Sequence, residues 1–242
     1  MIQSTPWRSP DLGLATQLAD ALDPRLTDAL ADGDVTQIAV PVGPDLWMIP
    51  ILTPEACARL TAVVDDRLLW RRRNPGLASS PNSMHYAGVI LEPIGLAPAA
   101  TRLRQRVVEP LRRALYPEFD ALDDDYAFVA TYGQRLDQRL NFHVDDSEVT
   151  LNISLGASHS GGRVVFLGRR CALHRQEDHR PEEEVAVDVP AGHGLLHAGS
   201  HRHLVETVVG ERRNLIIWCR SSGTRLSADP DSCPTWCGHQ GR

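Results

Sequence analysis

From Glu148 to Leu155 the chain alternates polar and apolar residues with frequent β-branching, the period of a half-buried strand that sets Thr150 and Asn152 on the face opposite Val149 and Leu151. Shorter strand signals lie at Trp47–Pro50 and Val89–Leu91. A longer one runs from about His203 to Val209, turns at Gly210 and returns from Arg212 to Cys219, predicting a hairpin that carries His203 and Arg212 together. Helical signals come earlier in the chain. Thr53-Pro54-Glu55 places an N-cap before a proline at the first helical position, so a helix is predicted to about Arg71. Ala97 to Leu115 predicts a second helix, interrupted or closed by Pro110, and Asp11 to Ala31 predicts helix near the start. Arg71–Ser83 and Arg175–Glu184, both proline-containing, predict loops. Helices first and strands later imply a mainly β fold with flanking helices. The expected architecture is a double-stranded β-helix of the jelly-roll, cupin-like kind, backed by helices on one sheet. The expected division is an N-terminal extension over 1–43, a main domain over 44–222 and a C-terminal tail over 223–242.

The chemistry concentrates in His143-Val144-Asp145, followed by His203 and then Arg212. Side chains at i and i+2 of an extended segment share a face, so His143 and Asp145 can reach one ion while Val144 packs behind. With a second imidazole from His203, the set covers one face of a six-coordinate iron(II) and leaves three exchangeable positions, an arrangement suited to an oxygenase. Arg212 offers a permanently charged, bidentate partner for a carboxylate, which fits a chelating keto-acid co-substrate with a distal carboxylate. His201 competes with His203, because two residues apart on one strand they share a face, and Arg213 competes with Arg212. Thr150 and Asn152 either hydrogen-bond the co-substrate or satisfy groups inside the barrel. His197 reads as a residue supporting the ligands or as packing, and Gly161-Gly162 as a tight turn or bulge beside the site.

The ordered set resembles the 2-oxoglutarate- and iron(II)-dependent oxygenases of the prolyl and lysyl hydroxylase type, and within them the family of 2-oxoglutarate and iron-dependent oxygenase domain-containing protein 2. The resemblance runs from about Asn74 to Ser222. It rests on Pro81-Asn82-Ser83-Met84, Gly88 to Leu91, Phe128 to Tyr132, His143 to Leu155, Gly161-Gly162 before Phe166, Gly194 to Gly199, and Gly210 to Ser222. It implies that His143, Asp145 and His203 bind iron, that Arg212 holds the distal carboxylate of 2-oxoglutarate and that Tyr132 contacts the co-substrate. The implied cofactors are iron(II), 2-oxoglutarate and dioxygen, with ascorbate as an optional reductant. The implied reaction is hydroxylation of an amino-acid, peptidyl or specialised-metabolite carbon with release of succinate and carbon dioxide. The same chemistry can end in desaturation, epoxidation or demethylation, and a non-catalytic ligand-binding β-helix is the reading from another class. The His203–Gly210 segment is one residue shorter than is usual in such chains, which keeps His201 in competition.

At 242 residues the chain can bury a sizeable core, and a net charge of −6 gives no general attraction for nucleic acid or anionic membrane. No apolar run is long enough for a bilayer span, and no secretory leader follows Met1, so the expected location is cytoplasmic. Five cysteines do not read as a secreted disulfide framework. Cys233-x3-Cys237 with His239 lacks a fourth zinc ligand, so it reads as an ordinary reduced tail, with zinc or a regulatory disulfide as the alternative. Most of Arg71-Arg72-Arg73 and the arginines from Arg102 to Arg113 read as a solvated face, with one or two as the alternative for meeting an anionic substrate. Nothing in the sequence sets the oligomeric state.

Overall fold

A computed structural model describes residues 21–73, 87–156 and 158–239. The Pro81–Met84 motif, most of the loop predicted over Arg71–Ser83 and the first half of the helix predicted over Asp11–Ala31 lie outside the described residues. The elements in order are α1 (Pro24–Asp32), β1 (Val40–Gly43), β2 (Leu46–Pro50), α2 (Pro54–Arg73), β3 (Gly88–Ile90), α3 (Ala97–Leu103), α4 (Glu109–Leu115), β4 (Asp124–Tyr132), β5 (Leu140–His143) and β6 (Val149–Gly156). They continue with β7 (His159–Gly161), β8 (Val164–Arg169), β9 (Glu184–Val187), β10 (His193–Ala198), β11 (His201–Val205), β12 (Val208–Gly210), β13 (Arg212–Arg220) and α5 (Ser222–Ser227). Among the described residues no helix is long and apolar enough to cross a membrane.

The larger sheet has the strand order β1-β2-β10-β6-β13-β4-β3 and the smaller one β5-β11-β8-β9, with β12 and β7 forming a separate two-stranded pair. The expected jelly roll, helices on one sheet, is the fold found. The predicted N-cap is present: Ala56 N donates to Thr53 Oγ1 at 3.3 Å. On α2, Cys57, Leu60 and Val64 recur at helical spacing and are buried against the larger sheet with Leu151, Ile153, Leu215 and Ile217. Each fully buried aliphatic side chain contributes about 1.5–3 kcal/mol, which makes this layer the main stabilising core. A π-helical turn, Arg104–Val108, joins α3 to α4 just before Pro110, whose missing N–H removes one regular helical bond. The expected extension packs onto the same layer: Leu26 of α1 is fully buried there, and β1 pairs with β2.

Two sequence expectations need correction. The strand over 149–156 is buried on both faces, because helices cover one side of the sheet while the smaller sheet covers the other. The His203-to-Cys219 region is not a hairpin. β11 pairs with β5 and β8 in the smaller sheet, β13 pairs with β4 and β6 in the larger one, and β12 turns aside to pair with β7. Alternation along a strand fixes which residues share a face, but it carries no information about which strand lies alongside.

Candidate metal centre

The smaller sheet puts His143, at the end of β5, directly opposite His203 in β11, with ring centroids 4.3 Å apart. Asp145 follows on the loop after β5, where its N–H donates to the Gly199 carbonyl at 3.0 Å. Gly199 N–H in turn donates to the Glu148 carbonyl at 3.0 Å, and a Cβ on Gly199 would lie 1.9 Å from Ser147 O. Only glycine lets the β10–β11 turn approach this closely. Asp145 Oδ1 lies 3.5 Å from His143 Nε2 and 3.8 Å from His203 Nε2. The three ligand atoms all fall within 4.8 Å of one another.

The hydrogen bonds fix the tautomers. Nδ1 of His143 faces the Asn141 carbonyl at 2.9 Å, and Nδ1 of His203 faces the His201 carbonyl at 2.9 Å. A carbonyl only accepts, so each Nδ1 carries a proton and each Nε2 is the ring nitrogen turned toward Asp145. Burial, with His143 alongside, pushes His203 down to about 3. Burial opposes ionisation of Asp145, but the neighbouring His203 and His143 outweigh it and hold the carboxyl well below its usual range. At His143 burial acts downward and the Asp145 carboxylate upward, with a net upward shift. One buried carboxylate, a neutral imidazole and a second with its Nε2 facing inward form a donor set for a divalent cation.

The larger sheet supplies the opposite wall. On β4 and β13 alternate residues point into the barrel, so Phe128, Tyr132, Arg212 and Trp218 face inward while Val129, Leu215 and Ile217 face the helices. The same alternation separates the two arginines. Arg213 turns toward α2 and pairs with Asp65 at 2.6 Å, whereas Arg212 is buried inside, opposite Tyr132 in register and 5.7 Å above its ring. Arg212 Nη1 donates to the Gly162 carbonyl, and among the described residues it has no ion-pair partner. Burial pushes its pKa down, as expected for a buried cation without a counter-charge. A carboxylate brought in by a ligand would supply one. Tyr132 is itself pushed up to about 12 by burial.

The remaining candidates take supporting positions. Thr150 Oγ1 donates to Asp145 Oδ2 at 2.7 Å and meets Ser147 Oγ at 2.8 Å, so this hydroxyl orients the carboxylate. Asn152 Oδ1 accepts from Asn214 Nδ2 at 2.7 Å on the neighbouring strand β13, while Asn152 also lines the cavity beside His143 and Asp145. His201 is buried with its ring 5.0 Å from Phe166, outside the His143–Asp145–His203 cluster. The pairing of β11 with β8 is irregular between His201 and His203, where Gly168 of β8 adopts φ +77°. This bulge was not visible in the His-x-His spacing. His197 lies with Nε2 3.8 Å from Asp145 Oδ2, and Ser147 was not anticipated; neither type of residue has a spacing signature.

The OGFOD2-like domain family matches residues 13–121, beginning inside the segment expected as an extension. The 2-oxoglutarate and iron-dependent oxygenase domain-containing protein ICU11 of Arabidopsis thaliana is 35% identical over 199 residues, 81% of this chain and 50% of that protein. The human 2-oxoglutarate and iron-dependent oxygenase domain-containing protein 2 is 33% identical over 192 residues, 78% of this chain and 52% of its own length. The chain therefore spans about half the length of these relatives. A mimivirus procollagen lysyl hydroxylase and glycosyltransferase is 26% identical over 179 residues, 69% of this chain and 18% of that protein. Among solved structures, a Pseudomonas putida prolyl-4-hydroxylase superposes with TM-score 0.50 at 19% identity over 85% of this chain and 100% of its own. AviO1 of Streptomyces viridochromogenes gives TM-score 0.52 at 18% identity over 80% and 93%. These structures share the fold, and the sequence relatives carry the family: the chain belongs to the 2-oxoglutarate and iron-dependent oxygenases, in the family of domain-containing protein 2.

Proposed function

We propose that this chain is a hydroxylase acting on an unactivated carbon of an amino-acid or peptidyl side chain or of a specialised metabolite. His143, Asp145 and His203 hold iron(II) in this reading, and Arg212 holds the distal carboxylate of 2-oxoglutarate. The observation that carries it is the pairing of two complementary features in one barrel: a three-donor metal face on the smaller sheet and a buried guanidinium without a counter-charge among the described residues on the larger one. Bound iron, 2-oxoglutarate and dioxygen supply oxidation of the substrate coupled to release of succinate and carbon dioxide.

The chain's own residues do the positioning. Nδ1–H of each imidazole is tied to its own strand, so both rings are locked with Nε2 inward before any metal arrives. Thr150 fixes the carboxylate rotamer from behind. The Tyr132 ring, beneath the Arg212 guanidinium, orients the fork toward the barrel interior. Phe128, Trp218 and Leu140 line the same cavity and exclude water from it. The indole N–H of Trp218 has no hydrogen-bond partner among the described residues, which makes it a donor available to a bound ligand. The peptidyl option draws support from the mimivirus relative, whose name states lysyl hydroxylation of procollagen.

The test is anaerobic addition of iron(II) and 2-oxoglutarate, followed by oxygen and a pool of amino acids, peptides and metabolites. A weak visible charge-transfer band, then succinate together with a compound gaining one oxygen, is the expected result. A product that loses two hydrogens instead would make desaturation the reaction. No band and no succinate would make the chain a ligand-binding β-helix.

A further inference from the structure

The tail does not trail away from the barrel. Beyond α5 it returns to the end of β8, where Gly238 N–H donates to the Arg169 carbonyl at 3.0 Å and Trp236 covers the Arg169 guanidinium, 4.5 Å from its ring centroid. This return brings Cys233 and Cys237 against Cys171 and His174, which form a Cys-x2-His turn directly after β8. Nδ1 of His174 lies 3.2 Å from Cys171 Sγ, 3.5 Å from Cys233 Sγ and 3.6 Å from Cys237 Sγ, and all four atoms fall within 4.8 Å of one another.

A single ring nitrogen makes one hydrogen bond, so three sulfurs around it at these distances are not explained by hydrogen bonding. They are explained by a shared ion. With zinc–sulfur and zinc–nitrogen bonds of about 2.3 and 2.05 Å, the edges of a tetrahedron come to about 3.5 Å for sulfur–nitrogen and about 3.8 Å for sulfur–sulfur. The three observed sulfur–nitrogen distances bracket the first value. The set is too tight to enclose a multi-iron cluster, and three thiolates with an imidazole select zinc over magnesium or calcium.

We infer that Cys171, His174, Cys233 and Cys237 form a structural zinc site that staples the C-terminal segment to the end of β8, separate from the iron centre. The sequence offered only half of it, because Cys233-x3-Cys237 lies 59 residues beyond His174 and only the fold closes the gap. Supporting contacts complete the picture. Cys171 N–H donates to Cys237 Sγ at 3.4 Å, as backbone amides do toward a metal-bound thiolate, and Glu177 Oε1 lies 3.9 Å from His174 Nε2. His239 stacks on His174 at 4.2 Å between centroids and shields the site from one side. Four protein ligands leave no open position, so the role is structural. The staple braces β8, whose Phe166 packs against the His203 ring at 5.5 Å.

Elemental analysis of the purified full chain tests this. One equivalent of zinc should survive a chelation step that removes iron. Cys233→Ser and Cys237→Ser should each lower zinc at least tenfold, His174→Cys should retain it, and His143→Ala should lose iron while keeping zinc. The wild-type chain gives an answer that needs no substitution. Substituted cobalt(II) should show intense thiolate charge-transfer absorption, and Cys171, Cys233 and Cys237 should alkylate at least tenfold faster once metal is stripped. No zinc after supplementation, zinc undiminished in the Cys233→Ser, Cys237→Ser double variant, or a Cys233–Cys237 disulfide in freshly purified protein would each overturn the assignment. The iron reading stands or falls independently of these results.

Discussion

Arg212→Leu separates binding from folding in a way that few substitutions in this barrel can. The side chain is 3% exposed, holds the Gly162 carbonyl and has no ion-pair partner among the described residues. A buried charge without a counter-charge contributes little to the stability of the ligand-free chain, since its desolvation is not offset. Its removal strands the Gly162 carbonyl, at about 1–3 kcal/mol, but also relieves that desolvation. The net change in the stability of the ligand-free chain should therefore stay within about 2 kcal/mol. With 2-oxoglutarate present the balance reverses. Losing one partner of a buried carboxylate–guanidinium pair costs about 2–5 kcal/mol, which at 1.4 kcal/mol per decade is a rise in the dissociation constant of roughly 30-fold to several thousand-fold. Arg213→Leu is the matched control, because Arg213 pairs with half-exposed Asp65 on the helix side and its loss should cost at most about 1 kcal/mol of stability. Anaerobic calorimetry of 2-oxoglutarate binding to the metal-loaded protein, with thermal melts of the ligand-free chain, gives both numbers. An affinity for Arg212→Leu within threefold of wild type, or a collapse in Arg213→Leu instead, would refute the reasoning.

Two further outcomes follow from buried polar groups. Thr150→Val keeps the shape but removes the donor to Asp145 Oδ2, so iron affinity measured by anaerobic titration should fall about 10- to 100-fold while the fold melts normally; unchanged affinity would show that the hydroxyl does not orient the carboxylate. Glu109 is buried with Arg112 at 2.7 Å and accepts Leu122 N–H; burial acts upward on its pKa, but these partners outweigh it and the net shift is downward. The unfolded chain therefore binds this proton more readily, so the contribution is complete above the ordinary glutamate range and is lost as pH falls through the lowered value. Glu109→Gln should cost about 3–5 kcal/mol at neutral pH by leaving Arg112 buried without its partner, and its stability should change less with acid than wild type; parallel acid curves in denaturant melts would contradict this.

Much of the architecture was legible because burial imposes a period. The alternation in β6 put Thr150 and Asn152 on the face opposite Val149 and Leu151, as found, whereas the separation of Arg212 from its competitor Arg213 emerged only with the structure. The Thr53 cap and the strand at Gly88–Ile90 were equally local signals. What depends on partners was not legible. The supposed hairpin between His203 and Arg212 is a crossing between two sheets, and the order of His201 and His203 around the site depends on a bulge opposite Gly168 in another strand. Thr150 faces the barrel as alternation requires, yet its partner is Asp145, five positions earlier in the chain, on the loop that precedes the strand. Cys171 and His174 had no visible link to the tail, since the sixty-odd residues between them and Cys233 and Cys237 close only when β8 is in place.

The central claim is that His143, Asp145 and His203 hold the iron on which turnover depends, and it is tested most directly by iron-dependent conversion of 2-oxoglutarate to succinate. Wild-type protein, His201→Ala and alanine variants of the three ligands should be compared under identical iron loading, with melting temperature and far-ultraviolet circular dichroism confirming that each is folded. Wild type should release succinate, His201→Ala should retain a substantial share of that rate, and His143→Ala, Asp145→Ala and His203→Ala should each fall at least about a hundredfold, since losing one ligand opens the coordination shell. Succinate released by His203→Ala at the wild-type rate, with loss in His201→Ala, would contradict the assignment, and iron-loaded wild type that never forms succinate would contradict the account as a whole.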